Sequence, residues 1–292
     1  MPGNTESEKS VVVARKGPVL RVILNRPHRK NAMTEEAWAL LGETLRTARA
    51  DDSVRVVVLT GAGGDFCAGA DLKGTLSRRH PLDRMGRLGD VALALHEMPQ
   101  PVIAEVQGVA VGAGWNLALG CDLVVASTTA RFSQIFARRG LSLDLGGTWL
   151  LPRLVGLQQA KRLALLADFV EAEEALRLGL VTWVKPPEQI GAFVDDLAAR
   201  LAAGPPVAMA QSKRLLNDAS SQTLREALES ESRAQAVNLA TDAPAARQAF
   251  QEGTDPRFDG RWQLHPAARP PHDGTTLEQH PIRSHSHPRS TP

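Results

Sequence analysis

Three short runs dominated by apolar residues, each with one charged residue (Arg55, Glu105 and Asp122), constrain this chain most. They lie at 54–60 (with Val54, Val56, Val57, Val58 and Leu59), at 102–106 (Val102, Ile103, Val106) and at 121–126 (Leu123, Val124, Val125). A strand with one wet face alternates apolar and polar residues, whereas a run without that alternation must be covered on both faces. Helices therefore have to pack on both sides of a largely parallel sheet. The segments between the runs supply them. Thr34 followed by Glu35 and Glu36 is an N-cap with acids in the first turn, and Trp38, Leu41, Leu45 and Ala48 then fall on one face. Met85, Leu88, Val91, Ala92, Leu95 and Met98 recur at helical spacing until Pro99. Strands alternating with helices predict an α/β fold.

The rest of the chain sets the domain layout. Residues 11–15 and 19–24 flank a Lys16-Gly17-Pro18 turn and read as a hairpin, which Asn25-Arg26-Pro27 ends. Helical stretches follow at 158–168, 172–178, 190–203 and 224–239, with another opening at Pro205-Pro206 and a short apolar run at 180–184. The expected organisation is a disordered N-terminus at 1–9, an α/β core at 10–200, a helical region at 201–262 and a disordered tail at 263–292. That tail holds 6 of the 19 prolines and 5 of the 8 histidines, too little apolar surface to offset its ordering entropy. His280, His285 and His287 could bind a metal, but no acidic or Cys ligand geometry accompanies them, so a solvated tail and no metal are expected.

Composition narrows the function. The charge of +2 arises from 34 basic and 32 acidic residues mixed along the chain, and there is no Tyr, so neither a basic patch nor a base-stacking platform is available for nucleic acid. No run of about 18 apolar residues occurs, and the N-terminus lacks a signal-like apolar segment. A cytoplasmic protein with no membrane partner is expected. Cys67 and Cys121 are too few for a disulfide framework, and Cys67 reads as a buried, inert thiol.

Several familiar sites are excluded. The chain has no G-x-S-x-G elbow, no Walker loop and no H-E-x-x-H, and Leu117 stands where a dinucleotide fingerprint needs its third glycine. Two glycine-rich turns remain, Phe66 to Leu72 and Gly108 to Gly114, each after an apolar strand. Small residues there let a ligand approach the backbone, and two converging N–H groups would make an oxyanion hole. The same residues also suit tight connections with no chemical role. Asp144, ahead of Gly146-Gly147-Thr148, would serve equally as the cap of a helix.

The full strings go further. Asn25-Arg26-Pro27 with Asn31-Ala32-Met33, Phe66-Cys67-Ala68-Gly69-Ala70-Asp71-Leu72, Gly108 through Cys121-Asp122, and Gly146-Gly147-Thr148 with Leu151-Pro152-Arg153 stand in one collinear order. Over roughly residues 10–260 this resembles the crotonase (enoyl-CoA hydratase/isomerase) superfamily, closest to its 1,2-epoxyphenylacetyl-CoA isomerase-like branch. The resemblance implies a crotonase-like spiral of ββα units with a helical C-terminal region, a homotrimer or dimer of trimers, an acyl-CoA thioester as ligand, and no cofactor beyond that CoA. It implies that the backbone N–H groups of Ala68 and Ala113 form the oxyanion hole. Ala68, Gly69, Ala70 and Asp71 would line the CoA channel, with Arg29, beside Arg26 and Lys30, facing CoA phosphates or solvent.

The resemblance also implies that, at the two positions where the family's hydratases place glutamates, Asn116 stands in the catalytic site and Phe136 against the substrate. Neither can exchange a proton near neutral pH. In the resembling branch a lone aspartate, here Asp144, moves the proton, so the implied activity is an enoyl-CoA isomerase, with a hydratase or a silent acyl-CoA binder as the alternatives. Where the family often carries a CoA-contacting lysine, this chain has Gly253 and Thr254, while Phe258 remains. Acyl selectivity is expected from the loop around 75–84.

Overall fold

The computed structural model describes residues 9–73 and 78–262. The expected tail at 263–292, nearly all of the expected N-terminal segment and part of the 75–84 loop lie outside the described residues. An antiparallel hairpin of β1 (Val11–Lys16) and β2 (Val19–Leu24) opens the chain and joins β3 (Val56–Gly61), β4 (Val102–Val106), β6 (Leu123–Ser127) and β9 (Trp183–Lys185) in a sheet ordered β1-β2-β3-β4-β6-β9, parallel from β2 onward. Helices α1 (Glu35–Ala50), α2 (Pro81–Glu97), α3 (Ala113–Leu119), α4 (Gly147–Leu166), α5 (Ala172–Arg177) and α6 (Pro187–Ala203) connect or follow these strands. A small second sheet, β5 (Val109–Val111), β7 (Arg131–Ser133) and β8 (Val170–Glu171), stands beside the second glycine turn.

The apolar runs behave as their chemistry requires. Along β3, Val57 and Leu59 join the large core that includes Leu41 and Leu45 of α1, while Val56 and Val58 face the opposite way, onto Ile190, Val194 and Leu197 of α6. One strand thus feeds two cores, and all four side chains are fully buried. Truncating such a residue removes both its transfer energy and its packing; Leu59→Ala should cost about 2–5 kcal/mol.

Local signals set the element ends. Thr34 caps α1 by accepting the Ala37 N–H at 3.2 Å. The strand expected at 121–126 starts two residues later, because Cys121 N–H still bonds Ala118 O and Asp122 turns its carboxylate onto Val102 N–H at 2.7 Å. The helix expected at 158–168 is the end of a longer α4, interrupted at Gly156, whose φ of +73° breaks the turn. Leu180 and Val181 are buried, but the 180–184 run becomes a strand only from Trp183.

Helices α7 (Pro206–Asp218), α8 (Leu224–Leu239) and α9 (Ala243–Glu252) form the expected helical C-terminal region. Lys213 ties α7 to the sheet, with its Nζ 2.7 Å from Asp122 Oδ2 and 3.1 Å from Gln100 O. Asp242 receives the Ala208 N–H at 2.8 Å, which fixes α9 to α7. Among the described residues no helix is long and apolar enough to cross a membrane.

Candidate active site

The two glycine turns run side by side at the C-terminal ends of β3 and β4. Cys67 N–H donates to Val109 O and Val111 N–H to Cys67 O, both at 2.9 Å, so the segments form a short parallel bridge. Gly69, at φ +87°, sits so close that a Cβ there would lie 2.8 Å from Val111 O and 3.6 Å from Ala113 N. The glycine is what allows the first turn to reach the start of α3.

Asn31 holds the first turn from behind. It is buried at φ +54°; its Oδ1 accepts the Arg26 N–H and its Nδ2 donates to Ala62 O and Asp65 O. Arg26 in turn places Nη2 2.8 Å from Asp71 Oδ2. That hydrogen bond holds the Asp71 carboxyl below its ordinary range, and the Asp71 side chain is spent as an anchor rather than offered to a ligand. Lys30 Nζ lies 3.3 Å from Asp65 Oδ2. Arg29 is exposed at the end of the turn Pro27–Arg29, and its charge adds to the field on Asp71.

The structure corrects one expected donor. Ala68 N–H is not free to bind a ligand oxygen, because it donates to Lys30 O at 2.9 Å. Gly69 N–H faces Cys67 Sγ at 3.4 Å and Asp71 N–H bonds Met33 O at 2.9 Å. The unspent donor of this turn is Ala70 N–H, which meets no acceptor among the described residues and belongs to an exposed residue. In the second turn Gly112, at φ +56°, gives its N–H to Ser133 O, which leaves Ala113 N–H, the first of α3, unspent. Ala70 N–H and Ala113 N–H, on adjoining turns, thus both stand without an acceptor among the described residues.

One helical turn beyond Ala113 stands Asn116, 1% exposed. Its Nδ2 donates to Asp144 O at 2.9 Å and its Oδ1 accepts from Gln134 Nε2 at 2.8 Å. Both ends of the amide are thus engaged by protein, so the expectation that Asn116 meets substrate gives way to a structural role beside the site. Phe136 is buried with its ring near Gly112, 3.6 Å from where a Cβ would stand. It walls the second turn and brings no proton-exchanging group.

Asp144 does not cap α4. The cap position belongs to Gly146, in the left-handed region at φ +80°, and what Asp144 contributes to the helix is its carbonyl, which accepts Gly147 N–H at 2.9 Å. Its partly buried carboxyl has Oδ1 out of solvent with no partner among the described residues. Burial pushes this acid up to about 6. A carboxyl that is neither ion-paired nor capped, and titrates near neutrality, is suited to take and return a proton.

Cys67 is fully buried against Asn31 O, and burial lifts its thiol to about 12, as an inert thiol requires. No cluster of three metal-ligating side chains exists among the described residues. A cleft of about 1100 Å³, lined by Arg49, Arg55, His96 and Lys213 among others, lies toward the opposite ends of β3 and β4 and includes none of the site residues above.

Sequence reasoning placed Ala70 in the CoA channel without singling out its N–H, and it missed Gln134. Ala68 and Ala70 are two apart in an extended segment, and only the pairing of Ala68 with Lys30 O tells them apart. Gln134 carried no signal beyond being a polar residue between Ser133 and Ile135.

Comparison with known proteins fits this geometry. The Enoyl-CoA hydratase/isomerase family profile matches residues 14–261. The 1,2-epoxyphenylacetyl-CoA isomerase of Escherichia coli (strain K12) is 36% identical over 255 residues, covering 83% of this chain and 95% of the relative. The short-chain-enoyl-CoA hydratase of Clostridium acetobutylicum is 35% identical over 212 residues, covering 71% and 81%. A crystal structure from Thermobifida fusca YX, in complex with acetoacetyl-CoA, superposes with a TM-score of 0.74 at 34% identity, covering 79% of this chain and 95% of that one. With the crotonase fold, the paired glycine turns and a match spanning most of its length, the chain belongs to the enoyl-CoA hydratase/isomerase family.

Proposed function

We propose that this protein is an enoyl-CoA isomerase in which Asp144 alone moves the proton. The observation that carries the reading is the state of three positions around α3. Asn116 has both amide ends bonded to protein, Phe136 is a buried hydrocarbon wall, and Asp144 has a carboxyl oxygen, Oδ1, buried without a partner among the described residues and is raised by burial to about 6. A 3-enoyl-CoA would place its thioester oxygen on Ala70 N–H and Ala113 N–H. Asp144, ionised, takes a proton from C2; the electron pair moves into a dienolate whose negative charge rests on that oxygen; Asp144 then returns the proton to C4, giving the 2-enoyl-CoA. Atoms and charge balance without any co-reactant, so no cofactor beyond the CoA of the substrate enters the reading. Each backbone donor is worth about 3 kcal/mol of barrier in a site shielded from water.

The acyl-CoA substrate is supported by the family and by the acetoacetyl-CoA in the Thermobifida fusca YX structure. A hydratase is the second reading, favoured by the name of the Clostridium acetobutylicum relative. Hydration needs a held and activated water, and the residues at 116 and 136 supply no group for it. A trimer or dimer of trimers is proposed as well, supported by apolar side chains exposed on the helices, Leu157, Leu165 and Leu166 of α4 and Leu228 and Leu239 of α8 among them. Light scattering tests the assembly. Assaying the purified protein against 3-enoyl-CoA and 2-enoyl-CoA esters of several chain types tests the activity: faster double-bond migration than hydration supports the isomerase, the reverse supports the hydratase, and no turnover with tight ester binding supports a silent binder.

A further inference from the structure

We infer that Gln134 is a positioning residue for Asp144, acting through the side-chain amide of Asn116. The inference rests on the reading of Asp144 as the proton carrier and extends it to a residue that touches neither substrate nor the carboxyl.

Among the described residues no other side chain hydrogen-bonds the Asp144 carboxyl, whose one partner is its own backbone, so its direction is set by that backbone. That backbone is strained. Leu145 is a non-glycine residue at φ +46° and Gly146 follows at φ +80°, two successive left-handed residues between the carboxyl and α4. A bulky residue holds such a conformation only where its surroundings over-determine it. Leu145 is buried in the core, and the Asp144 carbonyl is gripped twice, by Gly147 N–H and by Asn116 Nδ2, both at 2.9 Å. Gly147 is needed for this grip, since a Cβ there would lie 2.4 Å from Asn116 Nδ2.

The grip works only if Asn116 presents nitrogen rather than oxygen to that carbonyl. A carbonyl can only accept, so an amide turned the other way would set two oxygens against each other. Gln134 selects the right orientation by donating its Nε2 to Asn116 Oδ1 at 2.8 Å, inside a site where Gln134 is 0% exposed and Asn116 1%. The other end of Gln134, Oε1, is buried with no partner among the described residues. A methionine would fill similar space without that desolvation cost, so the one feature that distinguishes glutamine here is the donor it gives Asn116. Donor to acceptor, the relay runs Gln134 to Asn116 to the Asp144 carbonyl.

The test uses Gln134→Met, Asn116→Ala and their double variant in the full-length protein. Gln100→Met is the control, because Gln100 is another buried glutamine that donates one hydrogen bond to a backbone carbonyl, Ala48 O, and leaves Oε1 unpartnered, but at the far end of β4. Peptide-level hydrogen exchange should show residues 140–147 exchanging at least about tenfold faster in Gln134→Met and unchanged in Gln100→Met. In isomerisation of a 3-enoyl-CoA, Gln134→Met should lose about 10- to 100-fold in kcat with KM within about threefold, as misplacement of a catalytic group does. The double variant should be no slower than Asn116→Ala alone, since the two act in series. Unchanged exchange at 140–147, a kcat loss no larger than that of Gln100→Met, or additive losses would each overturn the relay. Full activity of Asp144→Asn, with the exchange result as expected, would instead overturn the proton-carrier reading and leave the relay as a loop clamp.

Discussion

Asn116 Nδ2 donates to the backbone carbonyl of Asp144 over 2.9 Å. A glutamate at 116 would project a carboxylate toward the same oxygen and repel it. The asparagine thus holds the loop that carries the aspartate, which in the proposed reaction moves the proton. The consequences for rate, pH and reaction type can be measured.

Asp144 sits at about 6 because burial penalises its charge. The base works ionised, so kcat/KM for isomerisation should rise through about pH 6 and level off above it. Stability runs the other way. The folded state binds this proton more tightly than the unfolded chain, whose carboxyl keeps the ordinary value near 3.8, so the carboxyl is harmless below that value and costs stability as pH rises through about 6. Asp144→Asn should therefore raise Tm at pH 8 and change it far less at pH 4. An equal shift at both pH values would mean that no buried charge is being relieved.

Hydration should be slow. Water addition to crotonyl-CoA is expected to run at least about 100-fold below isomerisation of a matched 3-enoyl-CoA, the usual contribution of a missing general acid or base. Asn116→Glu alone should not restore hydration, because it removes the amide donor to Asp144 O and leaves Phe136 in the place of a second acid. Comparable rates for the two reactions in the unaltered protein would refute the role assigned to positions 116 and 136.

Backbone donors can be deleted only by proline. Ala113 is the first residue of α3, where proline is tolerated because its N–H has no helical partner. Ala113→Pro should fold, by circular dichroism, and lose about 10²–10³ in turnover. Ala113→Val keeps the N–H and adds bulk, and serves as the comparison. A folded, fully active proline variant would remove Ala113 from the oxyanion hole.

The sheet was legible because its chemistry is local. Runs such as Val56 to Leu59 can be satisfied only between two helical layers, and Thr34, Pro99 and Gly108 mark ends by their own backbone preferences. The α4 helix was only half legible: the periodic stretch at 158–168 marks its end, while the part before the interruption at Gly156 carries Pro152 within it and shows no such period. At the site, the expectations for Asp144 and Ala113 rest on the family resemblance. The displacement from Ala68 to Ala70 could not be read from it, because it depends on which N–H finds Lys30 O across 38 residues of chain. Gln134 was hidden for a similar reason: a buried amide has meaning only once its partners are known.

The central claim is that one carboxylate carries the proton out and back. The most direct measurement is the rate of 3-enoyl-CoA isomerisation by Asp144→Asn at pH 8, alongside its affinity for a non-reactive CoA ester. The amide keeps the shape of the side chain and loses its basicity, so turnover should fall by about 10²–10⁴ while ester affinity stays within a few-fold. Turnover equal to that of the unaltered protein would contradict the account and leave Asp144 as a loop residue.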